Sequence, residues 1–595
     1  MTDATAPAAP DSSARSSSVS ARLDENDLPW PLRPWIMAAI CAAAGLAFHL
    51  LIDHDYDDAL SHWRSALATG AAVAAVAFVL GVELRRWRWA LGFALGWGVI
   101  LGLIAWQTAA YNIQGNPVEW PFWSGILAVL VATPLFQTRR DVAPDWRFWK
   151  LWQMPYERLH SHAWTDAVIG AASLAFVGIT FLLTVLIGQM FKLIGINLIF
   201  DLLNDEWFGW MLAGAAFGGA VGLLRERDKL VSTLQRLVMI VLAVLAPVLA
   251  VALVLFLLSL AGTGLQKLWD SGFSTAAVMM GVAAFAVLLA NAVIGNGSDD
   301  RATSPMLRWA APVLVVAVLP LAGIAFYSMH LRVIQYGWTP ERIWGVIAAM
   351  IALAYGLAGV WSVAMGRRDF DDLLRPLQQK LAIGLALLAL FLALPIMDFG
   401  AISTRDQLAR LKSGTTKVEN FDWAAMAFDF GPEGRAALAG LAKSPDQARV
   451  RLAKWALAAK NRWDLNVAGA NPDAATLNFA AKPIEEKVRV LPEGAKLSAE
   501  AYTALDTIDR CRADRCIAYR LGDARIVSVS AGGLVVVFVR DSKTGKWEQD
   551  YRAFGHDGTD GQLTAKELER GTVELRTVTR QQIFVNGKPV GADFE

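Results

Sequence analysis

Up to about residue 400 the chain alternates between long apolar runs and short polar links. Eleven runs stand out, at 35–52, 66–82, 89–108, 121–137, 167–191, 207–224, 237–260, 273–295, 308–329, 343–365 and 381–399. Each approaches the roughly 20 residues that a spanning helix needs. Beyond Gly400 the pattern changes. Residues 401–480 carry charged side chains on a helical period, as in the stretch from Arg449 to Lys460. From about Leu491 the period shortens to that of strands, with 526–530, 534–540, 547–551 and 572–579 rich in Val, Thr and aromatics. The stretch 582–590 reads as a hairpin around Asn586-Gly587. The expected fold is mostly α: a polytopic helical membrane bundle of about eleven spans (30–400), then a small extracytoplasmic α+β part. That part divides into a helical segment (401–490) and a β-rich domain (491–595). Residues 1–29, rich in Ser, Ala, Pro and Asp, are expected to form a disordered cytoplasmic tail and lack the apolar core of a secretory signal.

Composition agrees with a membrane class. The chain is 55% hydrophobic and only 18% charged, with a mean hydropathy of +0.38. Its net charge of +1 points to neither an acidic nor a basic partner, and nucleic acid is not expected. Twenty of the 24 tryptophans precede Gly400, as suits a residue that settles at headgroup level. The links set the expected orientation. Glu83-Leu84-Arg85-Arg86-Trp87-Arg88 is basic, and so are the links carrying Arg139, Arg140, Arg147 and Lys150, then Arg225, Arg227, Lys229 and Arg236, then Arg301, then Arg367, Arg368, Arg375 and Lys380. The alternate links are poor in Lys and Arg: 53–61 and 201–206 are acidic and 111–119 has no basic residue. The positive-inside rule then places the N-terminus in the cytoplasm and the C-terminal domain outside it. One external link departs from the rule, because it contains Arg332 and Arg342.

That link, His330 to Trp344, is rich in charge and aromatics. Thr339-Pro340-Glu341-Arg342 reads as a helix start, with Thr339 as cap, Pro340 at the first helical position and Glu341 near the positive end of the helix dipole. Gly337 permits a sharp turn just before it. One reading is a plain re-entry turn. The other is a functional cluster of His330, Arg332, Tyr336, Trp338, Glu341 and Arg342 at the outer membrane surface. Arg342 in a first helical turn is disfavoured by the dipole, so a partner is expected: Asp398, a carbonyl of the 335–338 turn, or an anionic ligand such as a lipid phosphate.

The stretch Gln335-Tyr336-Gly337-Trp338-Thr339-Pro340-Glu341-Arg342-Ile343-Trp344 resembles the signature of the bacterial membrane proteins grouped as domain of unknown function 4153. Its Tyr-Gly-x-Thr-x-x-Arg core is the most specific part. Tyr156-Glu157-Arg158-Leu159-His160 and Phe421-Asp422 with Phe428-Asp429-Phe430-Gly431-Pro432-Glu433-Gly434-Arg435 fit the same pattern. The resemblance spans roughly 150–450. It implies a multi-pass bacterial inner-membrane protein and carries no activity.

Other candidate chemistry is thin. The spans hold almost no Asp, Glu or Lys at mid-depth, where coupled transporters place them. Asn291, Gln189, Tyr327 and Tyr355 read as hydrogen bonds between helices. The acidic run from Asp53 to Asp58 has the oxygen ligands that suit a hard cation, but an external loop that tolerates acid is the simpler reading. His556 to Glu567 resembles the second half of a calcium loop, although Gly558 cannot coordinate through a side chain, and a surface turn is the simpler reading. The basic, aromatic stretch 146–152 suits contact with anionic headgroups. His160 and His162 would not share a helix face. Cys511 and Cys516 flank a tight loop and are expected to pair as a disulfide in an oxidising periplasm. No catalytic, cofactor-binding or metal-ligating residue is assigned, no cofactor is expected, and the oligomeric state is open. Three functions are compatible with the sequence. The first is non-catalytic envelope binding, sensing or scaffolding, with membrane lipids or an anionic envelope ligand as partners. The second is a transporter or flippase of a small or lipid-linked substrate. The third is an integral-membrane envelope enzyme.

Overall fold

A computed structural model of the 595-residue chain describes residues 30–52, 61–84, 86–109, 120–142, 154–269, 274–297, 301–459, 462, 465, 483–506, 511, 515–530, 535–541, 545–549, 581–585 and 588–594. It divides into two compact units that meet in sequence near Ile402. The acidic run 53–58, the link 111–119, the basic stretch 146–152, the strand at 572–579 and the segment 556–567 lie outside the described residues.

The first unit is the helical bundle. Its helices are α1 (Arg33–Ile52), α2 (His62–Gly81), α3 (Trp87–Ala109), α4 (Trp120–Val142), α5 (Tyr156–Leu193), α6 (Leu198–Asn204), α7 (Glu206–Arg225), α8 (Asp228–Thr263), α9 (Gln266–Trp269), α10 (Thr275–Ile294), α11 (Pro305–Tyr336), α12 (Pro340–Gly366) and α13 (Phe370–Ala393). Ten stretches among the described residues are long and apolar enough to cross a membrane. One of them, Pro340–Ala393, holds two of the eleven apolar runs, because the chain breaks at Arg367 (φ 49°) into α12 and α13. Each of the eleven runs therefore overlaps a helix, although the last, 381–399, continues past the end of α13 at Ala393.

Small residues set how closely these helices approach. Gly214, Gly218 and Gly222 recur every fourth residue on α7 and so form one stripe. A Cβ on any of them would collide with the α1 backbone, at Cys41, Met37 and Pro34 respectively. The order of these contacts makes α1 and α7 antiparallel. Gly70, Gly98 and Gly102 bring α2 and α3 together in the same way. Because lipid competes for apolar surface, such backbone contact, not hydrophobicity, holds membrane helices together. A second core fills the space between α8, α10 and α11, with Ala246, Ala286, Leu289, Leu314 and Leu321 fully buried.

The second unit begins within α14 (Phe399–Ser413) and continues through α15 (Trp423–Phe428), α16 (Gly431–Leu441) and α17 (Gln447–Ala458). Trp423, Phe430, Met426 and Leu438 form its helical core. After α18 (Ile484–Lys487) comes a five-stranded sheet of β1 (Val488–Leu491), β2 (Cys516–Leu521), β3 (Arg525–Ser530), β4 (Val535–Arg540) and β5 (Trp547–Gln549), in that order. The β1–β2 pair is parallel and the others are antiparallel. The helix α19 (Ala499–Asp506) supplies the crossover that a parallel pair requires. Strand β1 starts at Val488, three residues before the expected boundary, since its Val488 packs with Ala518 and Leu505 in the sheet's core. Cys511 and Cys516 are joined by a disulfide, with Cα atoms 5.2 Å apart. The strands β6 (Gln581–Val585) and β7 (Lys588–Phe594) form a separate antiparallel hairpin.

Candidate functional site

The 330–344 stretch differs from a simple link. Helix α11 continues through His330 and Arg332 to Tyr336, so both residues stand exposed on its final turns. The chain then reverses at Gly337, whose φ of 77° suits glycine. Thr339 caps α12 by accepting the Arg342 N–H at 3.4 Å. The Arg342 guanidinium folds back over the turn and donates to the carbonyls of Tyr336 (3.1 Å) and Gly337 (2.7 Å), while lying 5.4 Å from the centre of the Tyr336 ring. The Tyr336 carbonyl is the last of α11 and that of Gly337 follows it at the cap, where helix carbonyls lack intrahelical donors. Arg342 therefore serves the C-terminus of one helix from the N-terminus of the next. Trp338 packs near Ile343, Leu392 and Phe399 beneath the turn. Glu341 is exposed.

The larger concentration of buried charge lies elsewhere, where the basic links converge. Glu83, between α2 and α3, pairs with Arg225 of α7 at 2.7 Å, and with Arg33 of α1 and Arg140 of α4 at 3.5 and 3.8 Å. Arg33 and Arg140 are 6% and 4% exposed. Arg33 also donates to the carbonyl of Val82 (2.8 Å), Arg86 to that of Arg140, and Arg140 to Asp141 (2.7 Å). Burial alone raises the Glu83 pKa, but Arg225, Arg33 and Arg140 outweigh it and hold the carboxyl below its usual value of 4.5.

Helix α5 joins this cluster to a second one. At 38 residues it is about 57 Å long, well beyond a hydrocarbon core of about 30 Å, so its first turns are free to carry polar groups. His162 meets Asp141 at 3.0 Å, and Asp166 on the same face accepts from Gln137 at 3.0 Å. The other face carries Tyr156, which bonds to His160 Nδ1 (3.0 Å) and donates to Gln378 of α13 (2.9 Å); Gln378 in turn donates to Asn291 of α10 (2.9 Å). Beside this chain Asp371, 1% exposed, lies between Arg375 at 2.7 Å and Arg301 at 2.8 Å. Arg375 also donates to the carbonyl of Ile294 that ends α10 (3.1 Å).

The third signature stretch is architectural. Asp422 caps α15 through the Ala425 N–H at 2.8 Å, and Asp429 pairs with Arg462. Gly431 adopts a φ of 67°. A Cβ on Gly434 would collide with the Met426 carbonyl, so α16 can lie against α15 only with glycine there.

Sequence inspection missed the two charge clusters because each partner comes from a different helix. A signal was present nonetheless. Tyr156 and His160, His162 and Asp166, and Asp371 and Arg375 are all spaced by four, which puts each pair on one helix face. Among the described residues no group of three or more His, Cys, Asp or Glu side chains could hold a metal ion.

The ten stretches among the described residues that are long and apolar enough to cross a membrane mark a multi-pass membrane protein. A family model described as a domain of unknown function (DUF4153) matches residues 36–440, and the chain belongs to that family. The match starts far upstream of residue 150, so it takes in Glu83 and the α1–α7 contact as well as the three signature stretches. The sheet lies outside it. No curated protein and no solved structure matches the chain.

Proposed function

We propose that this chain is a non-catalytic protein of the bacterial inner membrane, whose bundle anchors a binding or sensing domain in the periplasm. The observation that carries this reading is the pairing of two carboxylates of the bundle, Glu83 and Asp371, with arginines. Glu83 is held by three arginines and Asp371 by two. A reacting carboxylate needs a pKa near the working pH, whereas the arginines around Glu83 drive its pKa the opposite way. The basic links at this end and the disulfide in the second unit favour cytoplasm on the former side and periplasm for the latter.

Structural and reacting carboxylates respond differently to substitution. Removing one partner of a buried pair costs about 3–5 kcal/mol because the other charge is left behind. Asp371→Asn and Glu83→Gln are therefore expected to lower the amount of folded protein in the membrane, and any loss of complementation in a deletion strain should track that amount. A variant that accumulates and melts as the wild type does, yet fails to complement, would make the carboxylate a reacting group and overturn the reading.

A further inference from the structure

A cavity of about 790 Å³ opens at the basic end of the bundle, between α8, the first turns of α5, the end of α10 and the start of α11. The volume lies within the roughly 300–1,000 Å³ typical of small-molecule sites. Its lining is divided by polarity. Arg236, Arg301, Asn296 and Ser304 belong to one part; Ile240 and Val244 belong to the other, and among the described residues no carboxylate lines it.

The apolar part is continuous with the outside of the bundle. Ile240 and Val244 line the cavity, yet they remain 56% and 61% exposed. They are part of a stripe that continues along α8 through Leu237, Val241, Val248 and Val251, all about half exposed or more. In a membrane protein that stripe faces acyl chains. Arg236 directly precedes it, at the step from polar to apolar surface, which is the level of lipid phosphates. The cavity is thus open towards lipid and carries cations where the headgroups lie.

The two arginines are not equivalent. Arg301 is positioned by Asp371 at 2.8 Å and Asp369 at 3.1 Å, which offset much of its charge. Arg236 is exposed and has no ion-pair partner among the described residues. Its planar fork suits a phosphate diester, and the flexible stem lets the charge meet a headgroup while its methylenes cover the apolar wall.

We propose that this cavity binds an anionic glycerophospholipid from the adjoining leaflet, with the phosphate at Arg236 and an acyl chain along Ile240 and Val244. Charge complementarity and continuity with the lipid-facing stripe select that occupant. The site is independent of the non-catalytic reading above, because a lipid could stabilise an anchor, an enzyme or a carrier alike.

The test uses the full chain, delipidated in zwitterionic detergent, with its melting temperature followed on titration with phosphatidylglycerol or phosphatidylcholine. Phosphatidylglycerol should raise the melting temperature further. Arg236→Gln should weaken its apparent affinity about tenfold, the scale of one charge-assisted hydrogen bond. Thr303→Trp, at an exposed position on the cavity wall, should remove the headgroup-specific increment while leaving the protein folded without lipid. Equal shifts with both lipids would overturn the proposal, as would an increment that survives both substitutions. Inorganic phosphate that reproduces the full increment would also overturn it, by assigning the site to a soluble anion.

Discussion

Arg225, at the last turn of α7, donates to Glu83 at 2.7 Å and so ties the α2–α3 link to a helix 142 positions away in sequence. Arg33 and Arg140 share the same carboxylate from two further helices. One acid thus fixes the relative depth of α1, α4 and α7 beside the link that carries it. In a low-dielectric setting such a cluster is stable only when every member is present, since each lost partner leaves a charge uncompensated.

The cluster has a pH signature. The folded-state pKa of Glu83 lies below its ordinary value of 4.5. Its contribution to stability is then fully present above the ordinary value and is lost as pH falls through the lower folded one. Melting temperatures measured in detergent across that acidic range should fall more steeply for the wild type than for Glu83→Gln. Parallel curves would mean that Glu83 titrates alike in the folded and unfolded chain.

The α1–α7 contact makes a second prediction. Gly218→Val places branched carbon against the Met37 carbonyl, where even a single methyl collides. Overpacking of this kind costs about 1–3 kcal/mol. A clear loss of melting temperature is expected, with Gly219→Val on the same helix as control, because a Cβ at Gly219 meets only the Ala38 methyl at ordinary contact distance, 3.5 Å. Equal effects at the two positions would contradict the close approach.

Arg342 supplies the third. Lysine keeps the charge but lacks the fork that lets one side chain serve the carbonyls of both Tyr336 and Gly337. Arg342→Lys should lower stability by about 1 kcal/mol, one hydrogen bond's net worth, and leave co-purifying phospholipid unchanged. Loss of bound lipid at unchanged stability would return the 330–344 stretch to the status of a ligand site.

Much of the architecture was legible in the sequence, because bilayer thickness imposes a length on each apolar run. Thr339, Pro340 and Gly337 likewise announced a helix junction through local chemistry alone. The charge clusters were not legible. Asp371 and Arg301 are 70 residues apart, and Glu83 and Arg225 twice that, so only the packed helices bring them together. The glycine stripe on α7 was visible as spacing, but the partner that its bare face requires was not. His330 and Arg332 were assigned to a link since charge interrupts the apolar run there, although α11 runs on past the apolar part to Tyr336.

The central proposal is that the second unit lies outside the cytoplasm, and a reporter fused after Glu595 tests this most directly. Alkaline phosphatase at that position folds only where disulfides form, and a fluorescent protein of the ordinary cytoplasmic type matures only where it has not been exported unfolded. Active phosphatase with a dark fluorescent fusion is the expected result. Inactive phosphatase with a bright fluorescent fusion would place the sheet and its Cys511–Cys516 pair in the cytoplasm and contradict the account.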